Sequence, residues 1–320
     1  MFRKKNELFR GRRATVISGL GQYSLTDTLE CGQAFRYERI VSEENYTEYI
    51  TVAGGKIINV GQREAGELIF FGEWSEEYER LLTHYFALDA DYEEIRREIT
   101  CRTDSEWLKL AAESAKGVVI LRQDPWETLF SFIVSQNNNI PRIRKIIRSV
   151  CSEYGENLAI SEKLSTCPLG KCDKPSAKTC RECGVCYSFP TASDILKNPD
   201  GLLPSHPGFR YKYLIDAARR VDSGEVDLSD IADKASYEYT LERLKTILGV
   251  GDKVASCVAL FGFGNLEAFP VDVWMRRAID DYFDGSLDPK SLGEYAGVAQ
   301  QYIFHYIRNL QSVEDAKEIK

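Results

Sequence analysis

The chain has 320 residues, 43% of them hydrophobic, and a formal net charge of -8. That apolar content can fill one large domain or two modest ones, and no apolar run of about eighteen residues or secretory leader pattern occurs, so a membrane protein and an exported one are not expected. The acidic balance argues against a protein that coats nucleic acid without selectivity, yet basic residues cluster in IPRIRKIIRSV (140–150) and GFRYKYLIDAARR (208–220) and leave room for a local footprint.

From about residue 15 to 75 the hydrophobic period is two: TEYITVAGGKIINVGQ reads as two strands around a Gly54-Gly55 turn, and ELIFFG as another strand. Helical periods follow in YERLLTHYFALD, DYEEIRREI and DSEWLKLAAESA. In QDPWETLFSFIVS, Asp124 reads as an N-cap, Pro125 as the first helical residue and Glu127 as the third member of a capping box. The helix stops at Gln136-Asn137-Asn138-Asn139, because asparagine tolerates turns and left-handed backbone. Pro141 opens the next helix, with Ile143, Ile146, Ile147 and Val150 on one face and Arg142, Lys145 and Arg148 pointing away. Strands first and helices afterwards, without βαβ alternation, predict an α+β protein: a β-rich domain over 1–115, then a helical domain over 116–320 interrupted by a cysteine-rich insertion at 160–187.

TLERLKTIL predicts a helix ending at Leu248, Gly249-Val250-Gly251 a tight turn, and Asp252 to Leu260 a second helix, a helix-hairpin-helix. Glycines there let backbone N–H groups approach a ligand closely, and a helix amino end favours an anion such as a DNA phosphate. Lys253 falls in the first turn of that second helix, where the macrodipole disfavours an ammonium and so favours an amine able to attack carbon. Cys257 follows one turn later on the same face. Asp272 precedes VWMRRAIDDYF and reads as an N-cap.

These stretches, together with ECGQAFRY (30–37), HPGFRYKYL (206–214), FPVDVW (269–274) and YAGVAQQYIF (295–304), resemble the 8-oxoguanine DNA glycosylase family of the helix-hairpin-helix glycosylase superfamily, in the family's order and across most of residues 20 to 310. The resemblance implies a TBP-like antiparallel sheet ahead of an all-α glycosylase domain. It implies a bifunctional enzyme of base excision repair that removes oxidised guanine from duplex DNA and nicks the strand, acting as a monomer in the cytoplasm, or in the nucleus of a eukaryote, without a catalytic cofactor.

Mapped onto this chain, the family's nucleophile falls at Lys253 and its carboxylate at Asp272. Asn137 matches the residue that fills the gap left by the everted base, Arg142 and Arg210 the pair that grips the orphan cytosine, and Phe209 the aromatic wedge. Gly32 supplies the carbonyl that accepts the N7–H found only in the oxidised base, Gln300 reads the pairing edge, Phe304 stacks on the ring, and Cys257 adjoins the nucleophile. Gly249 and Gly251 belong to the DNA-binding hairpin. Two positions depart from the pattern: Leu248 stands where proline is usual, and Trp274 where some members carry histidine.

Cys167, Cys172, Cys180, Cys183 and Cys186 are spaced C-x4-C-x7-C-x2-C-x2-C, outside the family pattern. CxxC pairs can place two thiolates on one tetrahedral metal, so a structural zinc held by up to four of them is one reading; an iron-sulfur cluster and reduced, unliganded thiols are the others. Two rival functions remain at this level. A glycosylase for alkylated bases or mispaired adenine would generally lack the hairpin lysine, and a noncatalytic hairpin protein would not need it.

Overall fold

The computed structural model describes residues 2–161 and 186–318, with side chains up to residue 310. Six strands form one antiparallel sheet: β1 (Arg3–Phe9), β2 (Arg12–Ser18), β3 (Tyr37–Glu43), β4 (Tyr46–Ala53), β5 (Lys56–Gln62) and β6 (Glu67–Phe71), in the order β1-β2-β6-β5-β4-β3. The β4–β5 hairpin is as expected: Ala53 pairs with Lys56, and Gly54 and Gly55 turn at φ 54° and 69°, which glycine adopts without strain. β1 had no periodic signature because it is an edge strand with charged, mostly exposed side chains.

Fourteen helices are described: α1 (Leu25–Glu30), α2 (Glu76–Tyr85), α3 (Tyr92–Cys101), α4 (Glu106–Ser114), α5 (Pro125–Ser135), α6 (Ile140–Tyr154), α7 (Leu158–Ser161), α8 (Ala192–Lys197), α9 (Tyr211–Asp222), α10 (Leu228–Lys234), α11 (Tyr237–Leu244), α12 (Asp252–Phe263), α13 (Val273–Tyr282) and α14 (Ala296–Glu318). The sheet buries Tyr49, Ile58, Leu68 and Phe70 against Leu82 of α2 and Phe86, which follows the helix. A larger core joins α5 and α12 to the surrounding helices, and Ile95, Ile99, Leu108 and Ala112 of α3 and α4 belong to it. Packing therefore groups α3 and α4 with the helical part, although a division at 115 assigns them to the first domain.

Two local expectations need correction. Asp124 does cap α5, accepting from the Glu127 amide at 2.8 Å, but the Glu127 carboxylate does not close a capping box. It accepts from Arg36 Nη1 at 2.8 Å instead, because a guanidinium only 4% exposed needs a counter-charge more than the helix end needs a second cap. The other concerns α11, which ends at Leu244 rather than Leu248. There the Leu248 amide donates to the Asp216 carboxylate at 2.7 Å, so a tertiary acceptor has taken the place of a helical carbonyl.

Candidate active site

Helix α12 is preceded at its cap position by Gly251, which has no side chain to cap it and leaves the amide groups of the first turn open. Lys253 stands in that turn and points back to the end of α5. Its Nζ lies 3.4 Å from Ser135 Oγ and 5.1 Å above the Phe132 ring. The two helices are held together by Phe132 stacked on Phe261, with centroids 5.4 Å apart. Cys257, buried one turn along α12, meets the lysine: burial pushes its thiol pKa up, with the Lys253 charge acting against that rise. Asp272 caps α13 as the sequence predicts, its Oδ1 accepting from the Met275 amide at 2.9 Å.

Lys253 and Asp272 line one cleft, which opens to solvent, and Gly32, Cys257, Gln300 and Phe304 line it with them. Gly32 bends at φ 92°, and a Cβ added there would stand 3.5 Å from Ile140 Cδ1 and 3.6 Å from Phe304 Cε1. The next residue fixes that bend. Gln33, fully buried, donates to the carbonyls of Thr28 at 2.9 Å and Val119 at 2.7 Å and accepts from the Leu121 amide at 2.8 Å. Gln300 is 3% exposed and accepts from Gln301 Nε2 at 2.7 Å, so its carboxamide is oriented before any base enters.

A second group lies at the end of α5. Asn137 is exposed and left-handed at φ 47°. The Arg210 guanidinium holds it so: Nε donates to Gln136 O at 2.8 Å, Nη2 to Asn137 O at 2.9 Å and Nη1 to Pro207 O at 3.1 Å. Arg210 is 3% exposed and braces the asparagine turn, whereas the resemblance implies a cation that reaches for cytosine. Arg142, in the first turn of α6, is exposed. Phe209 is 50% exposed and rests edge-on against Tyr213, 6.0 Å between centroids. Of the hairpin glycines, Gly251 is open, with nothing within 4 Å of an added Cβ; Gly249, at φ 79°, is required by the Tyr213 ring, whose Cδ2 would lie 2.5 Å from that Cβ.

The family model for the 8-oxoguanine DNA glycosylase N-terminal domain matches residues 16–129. The N-glycosylase/DNA lyase of Saccharomyces cerevisiae is 31% identical over 281 residues, which are 79% of this chain and 66% of that protein. MBOgg1, solved in complex with a low-affinity DNA ligand, is 32% identical with a TM-score of 0.78, over 97% of this chain and 99% of its own. The Clostridium acetobutylicum 8-oxoguanine glycosylase/lyase, solved with dsDNA containing cytosine opposite 8-oxoG, is 30% identical with a TM-score of 0.78, over 97% and 98%. The chain belongs to the 8-oxoguanine DNA glycosylase family.

In this 8-oxoguanine DNA glycosylase relative, sequence reasoning had singled out Lys253, Asp272, Gly32, Cys257, Gln300 and Phe304, and the fold brings all six to one cleft. It had not singled out Cys31, Phe132, Gln301 or Ser135. Cys31 sits beside Gly32 in the quoted motif, but Phe132 and Ser135 look like ordinary helix residues, and nothing short of the α5–α12 packing marks them. Cys31 lines the same cleft, its thiol pushed by burial to about 11. In the insertion, Cys167, Cys172, Cys180 and Cys183 lie outside the described residues. Cys186 is described: it is 1% exposed and packs with Ile50 and Ala159. Among the described residues no group of three or more His, Cys, Asp or Glu could hold a metal, and no helix is long and apolar enough to cross a membrane.

Proposed function

We propose that this chain excises 8-oxoguanine from duplex DNA and then cleaves the strand as a lyase, the activity for which its relatives are named. The observation that carries this reading is the convergence of Lys253 and Asp272 on one cleft whose other walls include Gly32, Gln300 and Phe304.

The amine of Lys253 attacks C1′ of the everted nucleotide while the bond from C1′ to the base breaks, and the base leaves with its bonding electrons and takes up a proton. Asp272 stabilises the positive charge that develops on the sugar. The sugar ring opens to a Schiff base on Lys253; a C2′ proton is then lost and the 3′ phosphate leaves by β-elimination, after which water releases the lysine. Eversion itself costs a few kcal/mol, and Asn137 and Phe209 are the groups proposed to fill and wedge the gap. Arg142 is the exposed cation proposed for the orphan cytosine, joined by Arg210 when its carbonyl partners are exchanged for the base. A monomer with one cleft suffices for one lesion.

The test offers duplexes with 8-oxoguanine opposite each of the four bases, with and without borohydride. Wild-type protein is expected to release the base and be trapped covalently, and Lys253→Gln to lose the trapped adduct. A glutamine variant that still crosslinks would refute the assignment of the nucleophile. Zinc held by up to four of Cys167, Cys172, Cys180, Cys183 and Cys186 is a separate proposal that rests on their spacing alone, and metal analysis of the purified protein tests it.

A further inference from the structure

Arg308 lies on α14, one turn beyond Phe304. Its guanidinium carbon is 5.7 Å from the centre of the Phe304 ring. One of its terminal nitrogens is 3.6 Å from the point where a Cβ on Gly32 would stand, and Ile140 Cδ1 is 3.5 Å from that same point. The guanidinium therefore sits where the base-recognition loop, the stacking ring and the start of α6 meet, at Ile140, which directly follows the asparagine turn.

Three arginines of this region, two half-buried and one fully buried, have carboxylate partners. Arg144 and Arg148 bond Glu38, and Arg36 bonds Glu127. Arg308 is half-buried too, yet among the described residues it has no hydrogen bond and no ion pair; its recorded neighbours are the Phe304 ring and the groups of Cys31 and Tyr37 that sense its charge. A guanidinium carries five N–H donors, and those of Arg308 have no acceptor among the described residues. Donors left open beside a cleft favour an anion that arrives with the ligand. When a nucleotide is everted the base enters the cleft, but its own phosphates stay at the mouth, and the planar fork of arginine matches a phosphate better than the point charge of lysine does.

We infer that Arg308 binds a backbone phosphate flanking the everted nucleotide, a contact made only when the base is seated against Phe304. This rests on the glycosylase reading above and adds a binding residue to it. The contact rewards eversion: it is absent while the protein tracks undamaged duplex and is gained once the base has left the stack.

Each phosphate neutralised by the protein contributes about 0.9 to the slope of log K against log salt concentration. In a Lys253→Gln background, which holds the lesion without turnover, affinities are measured from about 50 to 200 mM salt for Arg308, Arg308→Gln and Arg308→Lys proteins, on 8-oxoguanine duplex and on undamaged duplex. Arg308→Gln is expected to lower the slope by about one on the lesion duplex and to leave it unchanged on undamaged duplex, while Arg308→Lys keeps the wild-type slope. Loss of folding would instead change affinity on both duplexes and the melting temperature, and Arg308→Met, which keeps an unbranched stem over Phe304, then carries the measurement. An unchanged slope, or an equal fall on both duplexes, overturns the inference. If wild-type protein releases no 8-oxoguanine, the glycosylase reading fails first, and the two failures are told apart by that control.

Discussion

Asp272 caps α13 through the Met275 amide and also lines the cleft that Lys253 enters. Asparagine caps a helix about as well as aspartate but brings no charge, and alanine does neither. Asp272→Asn is therefore expected to melt close to wild type while its single-turnover excision rate falls by about 10²–10³, the usual loss for a preorganised electrostatic group. Asp272→Ala should lose a further ~1 kcal/mol of stability for the cap. An asparagine variant with full activity would leave the carboxylate as a cap only. Lys253 and Asp272 stood out in the sequence through a glycine hairpin and a helix start, but only the family resemblance joined them as one site. Ser135 and Phe132 did not stand out, since they reach the lysine across a helix packing that no local pattern encodes. Arg210 was legible as a residue but not in its bonds: three backbone carbonyls share one guanidinium, and only the fold brings them together.

On strand β4, the Glu48 side chain is 2% exposed and is held by Arg12 at 2.8 and 2.6 Å and by the Tyr46 hydroxyl at 2.6 Å. Burial alone would raise its pKa, but the hydrogen bonds from Arg12 and Tyr46 outweigh burial and hold it below the ordinary 4.5. A carboxylate whose folded pKa is depressed binds protons more weakly than in the unfolded chain, so its stabilisation is complete above the unfolded value and fades as pH falls through the folded one. Glu48→Gln should accordingly be less stable than wild type at neutral pH, and the difference in melting temperature should narrow as the pH is lowered below 4.5. A constant gap across that range would contradict the pairing. Among the elements, the β4–β5 hairpin, α5 and α6 were readable because turn glycines, a proline start and an apolar stripe each act within a few residues. The end of α11 was not: Asp216 lies far back in the sequence, and its claim on the Leu248 amide is invisible there.

Arg36 ties the parts of the molecule to one another. It follows the Gly32 bend ahead of β3, takes Glu127 at the start of α5 and donates to the carbonyl of Tyr187, just past the cysteine-rich insertion. Nearby, Trp126 Nε1 donates to Pro190 O at 2.8 Å. Glu127→Gln would leave the Arg36 charge buried without its partner, a loss of about 3–5 kcal/mol. Urea unfolding is expected to show that loss with little change in the slope against denaturant; a loss below about 1 kcal/mol would mean that solvent reaches the pair, as it does for surface ion pairs. The order of strands before helices was enough to predict the α+β class, whereas the grouping of α3 and α4 with the later helices depends on which core their apolar faces join.

The clasp of Arg210 on the asparagine turn bears on speed. Fixing a residue's backbone costs roughly 1–2 kcal/mol of conformational entropy, and here Asn137 is already bent to its left-handed shape. Under the proposal that Asn137 fills the gap left by the everted base, a finger crooked in advance gives up no freedom on entering it, so insertion is slowed by the stiffness of the duplex and not by rearrangement of the probe.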